Sequence, residues 1–294
     1  MMKPAPFTYF APESIDTALA LMQEHGNDAR LLAGGQSLVA SLNFRCLTPT
    51  VLVDLNVLPG LDGIWVDSKA DLHIGAMVRY RQIERDPLIA QHAPLVQSAI
   101  PYIAHTAIRT RGTIGGSLAY ADPAAELPAV TLALEARYRV RSAAGERWIE
   151  ARDFFQDSFL TALAPEEILV EVVLPAQPSR TGWGFHELAR RQGDRVMMGV
   201  AAAVSLDESG TCRKAVLTYM NAARKTTSAP HAAAQLIGIS PTTADLKSVA
   251  HQAAVTELDP PDDVHATAAF RRHLAEELTF RALTDAFERA GEEK

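Results

Sequence analysis

Gly34-Gly35-Gln36-Ser37 and Gly112-Thr113-Ile114-Gly115-Gly116-Ser117 place paired glycines beside hydroxyl side chains twice in one chain. Glycine has no Cβ, so its backbone can approach an anion closely with the amide N–H groups turned inward. Ser37 can cap a following helix or donate its hydroxyl to a phosphate oxygen, and the start of that helix adds partial positive charge. Asp122, in Ala119-Tyr120-Ala121-Asp122-Pro123, can cap the next helix or accept from sugar-like hydroxyls; a carboxylate has acceptor sites for both. Taken singly, each segment also reads as a tight turn that binds nothing. Neither is G-x-G-x-x-G or G-x-x-x-x-G-K-[ST], which disfavours a Rossmann dinucleotide fold and a P-loop. Two separate phosphate cradles suit an extended ligand with a pyrophosphate at its middle, the shape of FAD, whereas ATP needs one loop and a magnesium-binding partner.

Other chemistry is poorly supplied. Nine histidines occur without H-E-x-x-H or a compact His/Cys/Asp set, so no metal site is expected. Cys46 and Cys212 cannot provide the four protein ligands of an iron–sulfur cluster, which assigns metal redox work to another chain. No serine lies in G-x-S-x-G. The pairs Arg109/Arg111, Arg190/Arg191 and Arg271/Arg272 read as solvated or interface groups, and Met197-Met198 as packing.

The elements that must position the two segments are legible. Ser14 caps a helix whose apolar face is Ile15, Ala18, Leu19 and Met22, ended by Gly26. A strand at Ala29–Ala33 runs into the first glycine pair, followed by a short helix at Leu38–Phe44 and a strand at Val51–Leu55. Two strands, Gly63–Asp67 and Asp71–Ile74, precede a helical stretch over 81–105 broken by Pro87, Pro94 and Pro101. Asp122-Pro123 predicts a helix start, with Leu127, Val130, Leu132 and Leu134 inside. Strands at Arg137–Arg141 and Glu167–Val173 close the first domain. Pro175, Pro178, Ser179 and Gly182 place a linker near 176. Beyond it come strands at Gly184–Ala189, Met198–Leu206 and Lys214–Met220, then two helices marked by Leu246, Val249 and Ala253 and by Phe270, Leu274, Leu278 and Phe287. The expected domains are 1–176, with subdomains 1–58 and 59–176, and a smaller α+β domain, 177–294.

Composition agrees with a globular protein: 294 residues, 48% hydrophobic and 21% charged, with a formal net charge of −7. That balance gives no reason to expect a nucleic-acid partner. No apolar run is long enough for a membrane span, and Met1-Met2-Lys3-Pro4-Ala5-Pro6 lacks the apolar core of a signal peptide, so a cytoplasmic location is expected.

Together, A-G-G-Q-S-L and R-G-T-I-G-G-S-x-A-x-A-D-P-A-A-E resemble the FAD-binding medium subunit of molybdenum hydroxylases, the carbon monoxide, xanthine and nicotine dehydrogenase group. Phe7-Thr8-Tyr9-Phe10-Ala11-Pro12 resembles the family's opening strand, and Thr48-Pro49 through Val53-Asp54-Leu55 its P-x-x-L-V-D-L step. Arg190-Arg191-Gln192-Gly193-Asp194 resembles the second-domain signature, and Phe270-Arg271-Arg272-His273-Leu274 the final helix. The resemblance implies an α+β fold: a vanillyl-alcohol-oxidase-type FAD domain of two α+β subdomains, then a carbon monoxide dehydrogenase flavoprotein-like C-terminal domain. It implies that Ala33, Gly34, Gly35, Gln36 and Ser37 wrap the pyrophosphate from one side. Thr113, Ile114, Gly115, Gly116 and Ser117 would meet the pyrophosphate and flavin end from the other. Asp122 would hold ribityl hydroxyls, Leu32 and Leu169 the adenine side, and Ile108 and Arg109 the approach to the ring. No catalytic acid or base is implied.

The implied function is electron transfer. A large molybdopterin-binding subunit hydroxylates the substrate with oxygen from water, a small subunit carries two 2Fe–2S clusters, and the FAD here discharges the electrons to an external acceptor. The Trp183–Arg191 stretch leans towards N-heteroaromatic substrates, and a dimer of heterotrimers is the expected assembly. The alternative within flavoproteins is a self-sufficient FAD oxidase or dehydrogenase; outside them, a cofactor-free scaffold. Two positions depart from the family pattern: Glu187 stands where many relatives have Lys, and Arg195 where an aromatic residue is common. Arg195 is open to three readings: positive charge near the flavin, solvent exposure, or pairing with Glu187.

Overall fold

A computed structural model describes residues 3–292. Strands β1 (Thr8–Phe10), β2 (Ala29–Leu32) and β3 (Val51–Asp54) form a parallel sheet with β3 in the middle. The first helix, Ile15–His25, covers it with Ala18, Leu19 and Met22, and the Ser14 hydroxyl accepts the Thr17 amide as expected. All four residues of β3 are buried, as a central parallel strand requires.

The next unit holds β4 (Ile64–Val66), β5 (Leu72–Gly75), β6 (Arg137–Ser142) and β7 (Gly145–Glu150), a short hairpin of β8 (Phe155–Asp157) and β9 (Leu160–Thr161), and β10 (Ile168–Leu174). Its antiparallel sheet runs β4-β5-β10-β6-β7. The prolines cut the helical stretch as expected: Asp86 caps Pro87–His92, and Pro94–Ala99 follows. β7 and the β8–β9 hairpin were not expected. β7 is exposed at every position but one, so it lacks the alternation that marks a half-buried strand.

The last unit is a four-stranded antiparallel sheet of β11 (Thr181–Leu188), β12 (Met198–Leu206), β13 (Cys212–Met220) and the two-residue β14 (Thr227–Ser228), followed by helices Pro230–Ala234, Thr243–Gln252 and Ala268–Gly291. Strands come first and helices after, as expected. Gly182 and Gly184 face the long last helix so closely that a Cβ on either would enter its backbone. The other face of the sheet packs on the Glu126–Ala133 helix, where Thr218 donates to the Ala129 carbonyl at 2.8 Å. Phe185, Val196, Ala201 and Met220 belong to the same core as Leu118, Leu127 and Val130.

One helix boundary needs correction. The helix expected to start at Asp122-Pro123 begins at Glu126 instead. Asp122 caps a turn before it, accepting the Ala124 amide at 2.9 Å, while its carbonyl accepts Ala125 at 3.0 Å.

Candidate functional site

The first glycine segment leaves β2 where the Leu32 carbonyl takes the Leu55 amide at 2.9 Å. Gly35 turns in the left-handed region, φ +73°, and its carbonyl opens the Leu38–Asn43 helix by accepting Val39 at 3.1 Å. Gln36 folds back to donate to the Gly34 carbonyl at 2.9 Å. Among the described residues nothing accepts from the N–H groups of Gly34, Gly35, Gln36 or Ser37. The Ser37 hydroxyl makes no capping bond either. This half-buried turn therefore keeps a row of free donors.

The second segment differs from expectation. Its paired glycines, Gly115 and Gly116, lie in the first turn of a helix, Ile114–Tyr120, capped by Thr113, and their amides are engaged. Ile114 donates to Val78 at 3.1 Å, Gly115 to Ala76 at 2.8 Å, Gly116 to the Thr113 hydroxyl at 3.1 Å and Ser117 to the Thr113 carbonyl at 3.1 Å. This side offers clearance and hydroxyls rather than amide donors.

The fold brings the two segments into contact. A Cβ on Gly34 would stand 2.8 Å from the Gly112 Cα and inside the Arg111 carbonyl; one on Gly116 would lie 3.4 Å from the Ala33 Cβ. A polar strut fixes this approach. Asn56 donates to the Ala33 carbonyl at 2.9 Å, and Arg79 donates to both the Asn56 amide oxygen and the Arg111 carbonyl. Asp54 accepts the Asn56 backbone N–H at 2.8 Å and the Tyr9 hydroxyl at 2.5 Å. Sequence reasoning missed Asn56 and Arg79. The signal available was an Asx residue directly after the Val53-Asp54-Leu55 strand end, where a side-chain amide can bond neighbouring backbone.

The remaining sequence-chosen residues lie as follows in the fold. Leu32 is half-buried, and its Cδ1 would lie 3.3 Å from a Gly35 Cβ. Leu169 is buried in β10 beside a register shift, among the core residues that include Ile114 and Leu118. The Ile108 carbonyl accepts the Arg111 and Gly112 amides at 3.0 and 2.8 Å and so sets the entry to the second segment. The Asp122 carboxylate is gripped by Arg195 from the last unit, at 2.8 and 3.0 Å. Of the three readings of Arg195, the structure supports solvent exposure and excludes pairing with Glu187: the side chain is exposed, and its partner is Asp122.

Two carboxyl groups lie deeper. Glu126 is 8% exposed and has no ion-pair partner among the described residues. Burial, with a further contribution from Asp122, pushes it up to about 7. Glu187, half-buried on β11, has an Oε2 sealed from solvent without a hydrogen-bond partner. Burial, then the charge of Glu126, pushes it up to about 8. Tyr80, also buried, lies with its ring against Gly112.

The junction suits a diphosphate. Free amides and an uncommitted hydroxyl face it from one side, and a bare glycine and a second hydroxyl from the other, with no carboxylate among them. Fold and site together define a flavoprotein of the two-part, α+β kind. Residues 5–177 match the model of the FAD binding domain in molybdopterin dehydrogenase, and 183–286 that of the CO dehydrogenase flavoprotein C-terminal domain. The 6-hydroxypseudooxynicotine dehydrogenase complex subunit alpha of Paenarthrobacter nicotinovorans is 41% identical over 98% of this chain and 97% of its own length. Caffeine dehydrogenase subunit beta of a Pseudomonas is 35% identical, over 98% and 97%. Carbon monoxide dehydrogenase from Hydrogenophaga pseudoflava superposes with a TM-score of 0.95 at 33% identity, covering 98% of this chain and 99% of that one. The chain belongs to the FAD-binding medium subunits of molybdenum hydroxylases, and it is an oxidoreductase subunit whose cofactor is FAD.

Proposed function

We propose that the chain transfers electrons for an N-heteroaromatic hydroxylase. In this reading it accepts electrons from 2Fe–2S clusters on a small subunit, while a large molybdopterin subunit hydroxylates the ring. The relatives named for 6-hydroxypseudooxynicotine and caffeine support that substrate class. Bound FAD supplies the chemistry that accepts electrons from a one-electron donor and releases them to an external acceptor. The chain's residues bind and orient it. Ala33 to Ser37 donate to the pyrophosphate from one side; Thr113, Ile114, Gly115, Gly116 and Ser117 bound it from the other. Asp122 accepts from ribityl hydroxyls, Leu32 and Leu169 flank the adenine side, and Ile108 borders the ring. The FAD unit ends near residue 176, the assembly is a dimer of heterotrimers, and its place is the cytoplasm, consistent with two free cysteines.

The observation that carries this reading is the contact of Gly34 with Arg111–Gly112 beneath a row of unengaged amides. The test is anaerobic reduction with a hydroxypyridine or methylxanthine substrate. The flavin bleaches in the complex assembled with the large and small subunits and stays oxidised in the isolated chain. Bleaching of the isolated chain by substrate alone would favour a self-sufficient enzyme.

A further inference from the structure

The Pro123 carbonyl accepts the Asn221 amide at 2.7 Å and the Ala129 carbonyl accepts the Thr218 hydroxyl at 2.8 Å, so Glu126, between them, lies along β13 near Met220. Met220 pairs with Gly199 of β12, which pairs with Glu187 of β11 and has no side chain to separate the two carboxyls. Alternate residues of β11 face opposite ways: Gly182 and Gly184 meet the last helix, so Trp183, Phe185 and Glu187 face the FAD unit. Phe185 packs on Tyr102 there, centroids 5.2 Å apart. The groups that face the two carboxyls can be named element by element. The helix Tyr80–Ile83 presents the Tyr80 hydroxyl, and Ile114–Tyr120 presents Ser117. The turn before Glu126 presents Asp122, whose charge Arg195 already matches. β12 and β13 present Gly199, Met220 and Thr218, none of them charged. His186, Asp285 and Arg289 pair on the far face of β11. No cation is left for either carboxyl among the described residues.

We propose that Glu126 and Glu187 form a carboxyl pair that holds one proton between them beside the cofactor cleft and takes up a second when negative charge arrives there. Two carboxylates cannot both ionise in a shared, poorly solvated space without a counter-charge, so one proton stays. Glu126 is nine-tenths buried and pairs with no cation among the described residues, and one oxygen of Glu187 is sealed and bare. The raised proton affinities of both groups agree with that geometry. The inference rests on FAD occupying the cleft with its ring end towards Ser117. As two electrons enter from a reductant, the pair passes from one proton to two, the added proton coming from solvent. Glu187 is then a proton-holding residue whose effect is on the reduction equilibrium.

The test is a spectroelectrochemical titration of the flavin in the intact chain, across pH, for wild type, Glu187→Gln and Glu126→Gln, with infrared spectra of each. The wild type shows a protonated-carboxyl C=O band at neutral pH. Between about pH 7 and about pH 9 its potential also shows one extra proton per two electrons relative to Glu187→Gln. That is a tenfold change in the equilibrium per pH unit, about 30 mV for a two-electron couple. Either glutamine variant abolishes the extra slope, which a merely structural role would leave intact. Absence of the acid band, or equal slopes in all three proteins with flavin bound, overturns the pair. Absence of bound flavin from the wild type instead overturns the reading on which the pair rests.

Discussion

Arg195 forks both terminal nitrogens of its guanidinium onto the two oxygens of Asp122, at 2.8 and 3.0 Å, and so ties the last unit to the mouth of the FAD unit. Bidentate geometry orients a carboxylate as well as holding it. Both partners are partly exposed, so the pair contributes at most about 1 kcal/mol to stability and less at high salt. Asp122 still has acceptor sites for ribityl hydroxyls. Asp122→Ala is expected to weaken FAD binding about tenfold, the loss of roughly 1.4 kcal/mol. Arg195→Ala is expected to lower the melting temperature slightly in a salt-dependent way and to change FAD affinity less. Equal effects of the two substitutions on affinity would show that the fork, not the acceptor, matters.

The Asn56–Arg79 strut is expected to matter more than any single loop residue. Arg79→Ala leaves the Asn56 amide oxygen and the Arg111 carbonyl without their donor. The cost is about 1–3 kcal/mol if those acceptors stay out of solvent. Thermal unfolding of the apo chain measures it, and a falling FAD affinity alongside shows that the strut sets the approach of the two segments.

Much of this architecture was legible in the sequence, for identifiable reasons. The first helix announced itself through Ser14, the Ile15–Met22 face and Gly26, because cap, period and stop agreed. The breaks at Pro87 and Pro94 followed from the missing amide and the ring clash. The start at Glu126 was hidden because Asp122-Pro123 is also good chemistry for a turn, and the turn prevailed. Contact between the glycine segments could be named from the resemblance, but not the direction of each amide. The engagement of Gly115 with Ala76 depends on a chain passage that no local pattern encodes. The Asn56–Arg79 link joins residues from different units, and its partner carbonyls carry no side-chain signature.

Gly116→Val and Gly35→Val separate two kinds of loss. At Gly116 the first added carbon already meets the Thr113 hydroxyl at 2.8 Å and approaches Ala33, filling the clearance between the segments. That variant is expected to lose FAD occupancy by more than tenfold while retaining most of its stability. At Gly35 the left-handed φ adds backbone strain of roughly 1–2 kcal/mol to any occupancy effect. Flavin content after purification and apo-protein melting curves distinguish the two.

Acid also weakens the last unit. Burial alone would raise Asp263, but Arg271 at 2.8 Å and the His265 and Ala266 amides outweigh it and bring the carboxyl to about 2. A depressed folded-state value means the stabilisation is complete above the unfolded value of about 4 and fades as pH falls towards 2; because Asp263 is exposed, solvent screening holds it to about 1 kcal/mol or less. Asp263→Asn is expected to lose that contribution at neutral pH, because the fully buried Arg271 loses its counter-charge, and to flatten the acid limb of the stability curve. Chemical denaturation at neutral and acidic pH measures both.

The most direct test of the whole account is the affinity of the apo chain for FAD, set beside Ser37→Asp. A carboxylate there would stand among the free amides of the first segment, against the diphosphate. At about 4 Å and an effective dielectric of 20, one such repulsion is about 4 kcal/mol before screening. The expected result is an FAD dissociation constant raised by at least about 100-fold, an unchanged apo melting temperature, and riboflavin affinity, which involves no diphosphate, left as in the wild type. Wild-type FAD affinity in Ser37→Asp would contradict the claim that these two segments close on the diphosphate.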